Sequence, residues 1–125
     1  ITMADTTAPS ILSAVVTKRT KVNLATSDII LNVAGGLRIS DPALDLAAVA
    51  SIFSSYNNKP VSREAVFLGE VGLGGEVRNV FRLEERLKEA NRLGFKEAFI
   101  PSVNIKASKL KLNKIKDIND LLKFY

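Results

Sequence analysis

The segment from Asp41 to Ser55 constrains the fold more than any other stretch of this chain. Asp41-Pro42 is a strong helix opening. An aspartate before the first turn can accept from an unpaired backbone N–H, and proline suits the first helical position, where no donor is needed. The residues that follow include Ala43, Leu44, Leu46, Ala47, Ala48, Val49, Ala50, Ile52 and Phe53, apolar on nearly every side. A helix of that kind has no wet face, so the pattern predicts a central, mostly buried helix running to about Ser55. Asp45 lies inside it, one turn after Asp41, and needs a partner if it is buried.

The other elements follow from period and punctuation. Ile11, Leu12, Val15 and Val16 recur at helical spacing and predict a helix over about 9–19, entered at Thr7-Ala8-Pro9 and closed by Lys18, Arg19 and Lys21. Ile29 to Val33, ended by Gly35-Gly36, reads as a buried strand, and Asn57-Asn58-Lys59-Pro60 as a turn. Residues 65–70 predict a strand, Gly72 to Gly75 a tight turn, and Glu76 to Val80 a returning hairpin partner. Arg82 to Leu93 predicts a helix stopped by Gly94, and Lys96 to Ile100 a strand closed by Pro101. Lys109-Leu110-Lys111-Leu112 alternates strictly and predicts an edge strand, and Asp117 caps a last short helix from Ile118 to about Phe124. The order α-β-α-β-β-α-β-β-α describes a single domain of the α+β class with a mixed sheet.

Composition narrows the chemistry. The 125 residues contain no cysteine and no histidine. Transition-metal sites built on those ligands are therefore not expected, and neither is a histidine base or triad. What survives is serine or threonine activated by lysine, or carboxylate chemistry. The absence of cysteine fits a cytoplasmic protein, and no apolar run reaches the ~18 residues of a membrane span. Six lysines (106, 109, 111, 114, 116, 123) against Asp117 and Asp120 place +4 of the net +5 charge in the last twenty residues. That excess suits a polyanion such as nucleic acid, or equally a lysine-protected edge strand and tail. There is no tryptophan, and Tyr56 and Tyr125 are isolated, so a base-stacking platform is not expected and contacts to DNA would run through phosphates. There is also no Gly-x-x-x-x-Gly-Lys-Ser/Thr phosphate loop, and Gly72 to Gly75 joins two strands instead of opening a helix.

Four blocks, in order, carry a resemblance. They are Ile29 to Val33 with Gly35-Gly36; Ser40-Asp41-Pro42-Ala43 through Ala47; Gly69-Glu70-Val71-Gly72-Leu73 with Gly75-Glu76-Val77-Arg78; and Arg82 to Glu89 with Leu93-Gly94-Phe95-Lys96 and Ile100-Pro101. Together they resemble the proteolytic domain of Lon-type Ser-Lys proteases, and more closely the C-terminal Lon-like domain of the RadA (Sms) family of bacterial DNA-repair proteins. The resemblance covers almost the whole chain. It implies the Lon proteolytic-domain fold, a ribosomal-protein-type βα arrangement, over residues 1–125, with the first strands of the domain lying upstream of Ile1. A zinc-finger segment and a P-loop ATPase core would also lie upstream, so ATP, magnesium and zinc are implied for those parts and no cofactor for this one.

The resemblance can be carried over residue by residue. Lon's nucleophilic serine falls on Ala43, its lysine on Arg86, 43 residues further on, and the orienting threonine on Leu68. Alanine has no nucleophilic atom, and arginine keeps its proton and cannot serve as the base of a Ser-Lys dyad. Ser40 and Ser51 are near in sequence, without an evident lysine base. The domain is therefore expected to be no enzyme. Arg82, Arg86 and Glu89 share a helix face, where Arg86 would pair with Glu85 or Asp45, or contact DNA or a neighbouring subunit. Arg78, Arg82, Arg86 and Lys88 are the candidate DNA or subunit contacts. Glu70 and Glu76 are expected to serve the hairpin as hydrogen-bonders. The resemblance further implies a ring, hexameric in the complete protein, that acts in branch migration on single-stranded or branched DNA alongside the RecA recombinase, with no membrane partner. A purely structural oligomerisation domain and a cryptic Ser-Lys peptidase are the alternatives.

Overall fold

The computed structural model describes residues 41–105 and 109–125. The helix expected over 9–19 and the strand over 29–33 lie outside them, as does Ser40. In chain order the described elements are a single 3₁₀ turn (Pro42–Leu44), α1 (Asp45–Asn57), β1 (Ala65–Phe67), β2 (Glu70–Val71), β3 (Val77–Arg78), α2 (Leu83–Arg92), β4 (Glu97–Pro101), β5 (Lys111–Ile115) and α3 (Ile118–Leu121).

The opening at Asp41-Pro42 forms as its residues dictate. The Asp41 carboxylate accepts from the Ala43 N–H at 3.0 Å and Pro42 takes the first position of the turn, which leads directly into α1. Leu46, Val49, Ala50, Ile52 and Phe53 are fully buried, in keeping with a wrapped helix. It ends two residues beyond Ser55, at Asn57. Asn58 adopts the left-handed conformation (φ 53°) that asparagine tolerates, and its N–H returns to the Ser54 carbonyl.

β1, β4 and β5 form a three-stranded sheet in the order β1-β4-β5, parallel throughout, with Ala65 opposite Glu97 and Glu97 opposite Lys111. Among the described residues this sheet is parallel; the strand expected over 29–33 lies outside them. Antiparallel pairing is confined to a separate two-stranded hairpin, β2-β3, with Glu70 opposite Arg78. The cause is a break in what reads as one strand over 65–70. Leu68 still donates to Phe99 O of the sheet at 2.9 Å, but Gly69 donates to Ala43 O at 2.9 Å and accepts from Leu46 N at 3.0 Å. The chain leaves the sheet at Gly69 to bond the start of α1. Only glycine permits so close an approach, because a Cβ there would lie 2.9 Å from Val77 Cγ1.

Each face of the sheet has its own core. On one side α1, Phe67, Phe99, Ile115, Ile118, Leu121 and Tyr125 pack together. On the other, Leu83, Leu87 and Ala90 of α2, spaced i, i+4, i+7, cover Ala98, Ile100, Leu68 and Leu110. The central strand β4 alternates between the two, which is why it reads as a continuous apolar run. Phe67 and Phe99 stack at 4.6 Å, and Phe124 meets Phe99 edge-on at 4.9 Å. The edge strand sits at 111–115, slightly later than expected, and is indeed at the rim of this sheet among the described residues. Asp117 caps α3 within a full capping box, Asp120 Oδ2 accepting in return from the Asp117 N–H at 3.2 Å.

Candidate functional site

The start of α1 and the N-terminal turn of α2 come together, and with them the positions that resemble a Ser-Lys dyad. Ala43 is buried at the mouth of α1, and its carbonyl is taken by Gly69 N. Leu68 is buried in the core beneath α2. Arg86 reaches across from α2: Nη1 lies 2.7 Å from Asp41 Oδ2, and Nε donates to the Phe81 carbonyl at 2.8 Å. Arg86 is therefore bonded to the residue two before Ala43, and it is engaged in a clasp. One end holds the cap of α1 and the other the corner that enters α2.

This corrects the expected partners of Arg86. Glu85, its immediate neighbour on the helix, borders the same groove, but the Arg86 ion pair goes to Asp41. Asp45 is turned into the protein, fully buried, where its Oδ2 accepts from Val71 N at 3.1 Å. The two aspartates are tuned in opposite directions. The Arg86 hydrogen bond and charge hold the Asp41 carboxyl below the usual carboxylate range. Burial pushes Asp45 up to about 6, against the lowering effect of the Val71 N–H.

The remaining candidates occupy the rim. Arg78 pairs with Glu76 at 2.6 Å, both largely exposed. The Glu76 carboxylate folds back over the glycine turn, so that a Cβ on Gly72 would lie 1.9 Å from Glu76 Oε1. That is a hairpin role for Glu76, and backbone N–H groups and Arg78 hold its pKa down. The glycines accordingly serve a tight turn closed by Gly72 N to Glu76 O at 2.9 Å. Lys88 is exposed on α2, and Glu89 is bonded by Arg92. Arg82 precedes α2 in a left-handed conformation (φ 57°), with its guanidinium 5.2 Å from the centre of the Phe81 ring. Arg82, Arg86 and Glu89 do share a face. With Val66, Ala90, Leu93 and Phe95 they border a shallow groove of about 450 Å³.

Two features of the site are not legible in the sequence. Asp41 reads as a helix cap but not as an ion-pair partner 45 residues from Arg86, and local spacing carries no signal for that. Phe81 reads as an ordinary apolar residue, yet it is 75% exposed. Among the described residues no cluster of acidic side chains is arranged to hold a metal ion, and no helix is long and apolar enough to cross a membrane.

Comparison with known proteins adds the context. The sequence profile of the family described as subunit ChlI of Mg-chelatase matches residues 7–104. The DNA repair protein RadA of Campylobacter jejuni is 39% identical over 113 residues, which is 90% of this chain and 25% of that protein. RadA of Bacillus subtilis is 50% identical over 96 residues, 77% of this chain and 21% of that protein. RadA of Chlamydia muridarum is 47% identical over 97 residues, with 78% and 21% covered. The chain thus spans a quarter or less of the length of these relatives.

Proposed function

We propose, for a chain that belongs to the RadA family of DNA-repair proteins, that it is a Lon-like, non-proteolytic module that binds DNA and helps to build the family's working ring. The Arg86 clasp is the observation that carries the reading. Arg86, where the resemblance would put a Ser-Lys peptidase's base, is bonded to Asp41 and to Phe81 O, and where it would put the serine the chain has Ala43. A residue so engaged holds two elements together and moves no proton.

Charge supports the DNA part. Lys109, Lys111, Lys114 and Lys116 all stand exposed on or beside the edge strand β5, and Arg82 and Lys88 stand exposed at α2. Around a closed ring such fields add, so a modest +5 per subunit becomes a focused positive potential. By the same resemblance the complete protein would be an ATP-dependent motor for branch migration. ATP and magnesium would bind at an upstream core, zinc at an upstream finger, and recombination proteins such as the RecA recombinase would be partners in the cytoplasm.

A purely structural oligomerisation domain is the second reading. It draws on the shallow groove beside α2, where Val66, Ala90, Leu93 and Phe95 offer apolar surface to a neighbour. Salt dependence separates the two. Binding of a single strand is expected to weaken steeply as salt rises. R82A with K88A is expected to reduce the slope of log K against log salt by about 1.4, or about 0.7 for each phosphate that is no longer neutralised. An unchanged slope removes both residues from the DNA surface, and no binding at low salt favours the structural reading.

A further inference from the structure

Phe81 is the most exposed large apolar side chain among the described residues, at 75%. It stands at a corner built to hold it there. The next residue, Arg82, has φ 57°, and the only other non-glycine residue with positive φ among the described residues is Asn58, whose type tolerates it. An arginine in that conformation is strained, and strain of this kind persists where surrounding contacts enforce it. Here the enforcing contacts are visible. Arg86 Nε donates to the Phe81 carbonyl at 2.8 Å, Arg86 N donates to the Arg82 carbonyl at 3.0 Å, and Arg86 is itself anchored on Asp41 at 2.7 Å. The clasp that replaces the catalytic base thus fixes an aromatic ring in water, with the Arg82 guanidinium 5.2 Å from its centre.

We propose that Phe81 and Arg82 form a stacking subsite for an unpaired base of single-stranded DNA, the ring taking the base and the guanidinium the adjoining phosphate. The proposal rests on the DNA-binding reading above and deepens it. Charge and polarity around the ring decide for a nucleotide over a second copy of the chain. Arg78, Asn79 and Arg82 are exposed along Val77 to Leu83. Arg78 is taken up by Glu76 at 2.6 Å and Glu84 and Glu85 follow on α2, so Arg82, 5.2 Å from the ring centre, is the cation that serves it. An exposed ring with a guanidinium over it matches a base joined to a phosphodiester. The scarcity of tryptophan and tyrosine argues against stacking from sequence alone; the exposed residue is one of the six phenylalanines.

The chain contains no tryptophan, which makes the test direct. F81W supplies a single emitting residue at the subsite. Addition of a short oligo-dT strand at low salt is expected to quench it, while Y56W, placed at the far end of α1, keeps its emission. F81A is expected to bind the strand about 5- to 150-fold more weakly. Its duplex affinity and salt slope stay unchanged, because every cation that meets a phosphate is still present. A bound strand that leaves F81W emission unmoved, or an F81A affinity equal to wild type, overturns the proposal. So does an F81A variant whose self-association in sedimentation drops while its affinity for the strand stays, which would assign the ring to a second copy. If the wild-type chain binds no strand at all, the DNA-binding reading falls with it; if it binds with the expected salt slope and Phe81 is inert, the subsite alone falls.

Discussion

Arg86 and the two aspartates near it show how far one side chain can redirect a site. An arginine in place of a lysine keeps the positive charge but gains a fork of donors and gives up the ability to release its proton. In this chain the fork is divided between Asp41 and a backbone carbonyl, joining α1 to α2. Asp41 is 40% exposed, so the ion pair itself contributes only about 0.5–1 kcal/mol. Because the bond to Phe81 O disappears as well, R86A is expected to destabilise by about 1–2 kcal/mol. A double-mutant cycle of R86A with D41N by urea denaturation is expected to give a coupling of about 0.5–1 kcal/mol, and additive effects would dissolve the clasp. Asp45 calls for the opposite sign. Its folded pKa of about 6 stands above the 3.8 of an unperturbed aspartate, so the folded state holds the proton longer than the unfolded state. The contribution is therefore most favourable below about pH 4, declines as pH rises to about 6, and is level beyond, a swing of up to about 3 kcal/mol. D45N, which keeps an acceptor for Val71 N, is expected to gain on wild type as pH is raised from about 4.5 to about 7 in thermal melts. A difference that does not vary with pH would contradict the assignment.

The elements are legible where periodicity and punctuation agree. Asp41-Pro42 before an all-apolar run predicts α1 together with the 3₁₀ turn that leads into it, and Arg82 to Leu93 before Gly94 predicts α2, each to within two residues of where the helical stretch lies. Asp117 as a cap is legible for the same reason, since its side chain does the same local work in any fold. The strands are harder. Residues 65–70 alternate as one strand, and nothing local reveals that Gly69 turns aside to bond Ala43 and Leu46, a contact between segments over twenty residues apart. Parallel pairing is equally invisible, because the partner of β1 lies beyond the hairpin and α2. At the site, the sequence does not identify the partner of Arg86. Asp41, Asp45 and Glu85 are all carboxylates near the right helices, and only the folded chain decides which faces Arg86.

At the scale of the described residues, two apolar cores flank a parallel sheet, the Asp41–Arg86 clasp lies where α1 and α2 meet, and the lysines gather at the sheet's far rim. The clasp and the rim perform different tasks. The first fixes geometry without chemistry, and the second supplies the field that attracts a polyanion. The central proposal is that this chain is no peptidase, and it rests on the engagement of Arg86 with Asp41 and Phe81 O. The most direct measurement is incubation of the chain at high concentration with casein and with fluorogenic peptides. No cleavage is expected at any pH between about 5 and about 9, because arginine stays protonated across that range. Cleavage that disappears in S40A or S51A would show that a serine other than the one at the dyad position has found a base, and would contradict the claim.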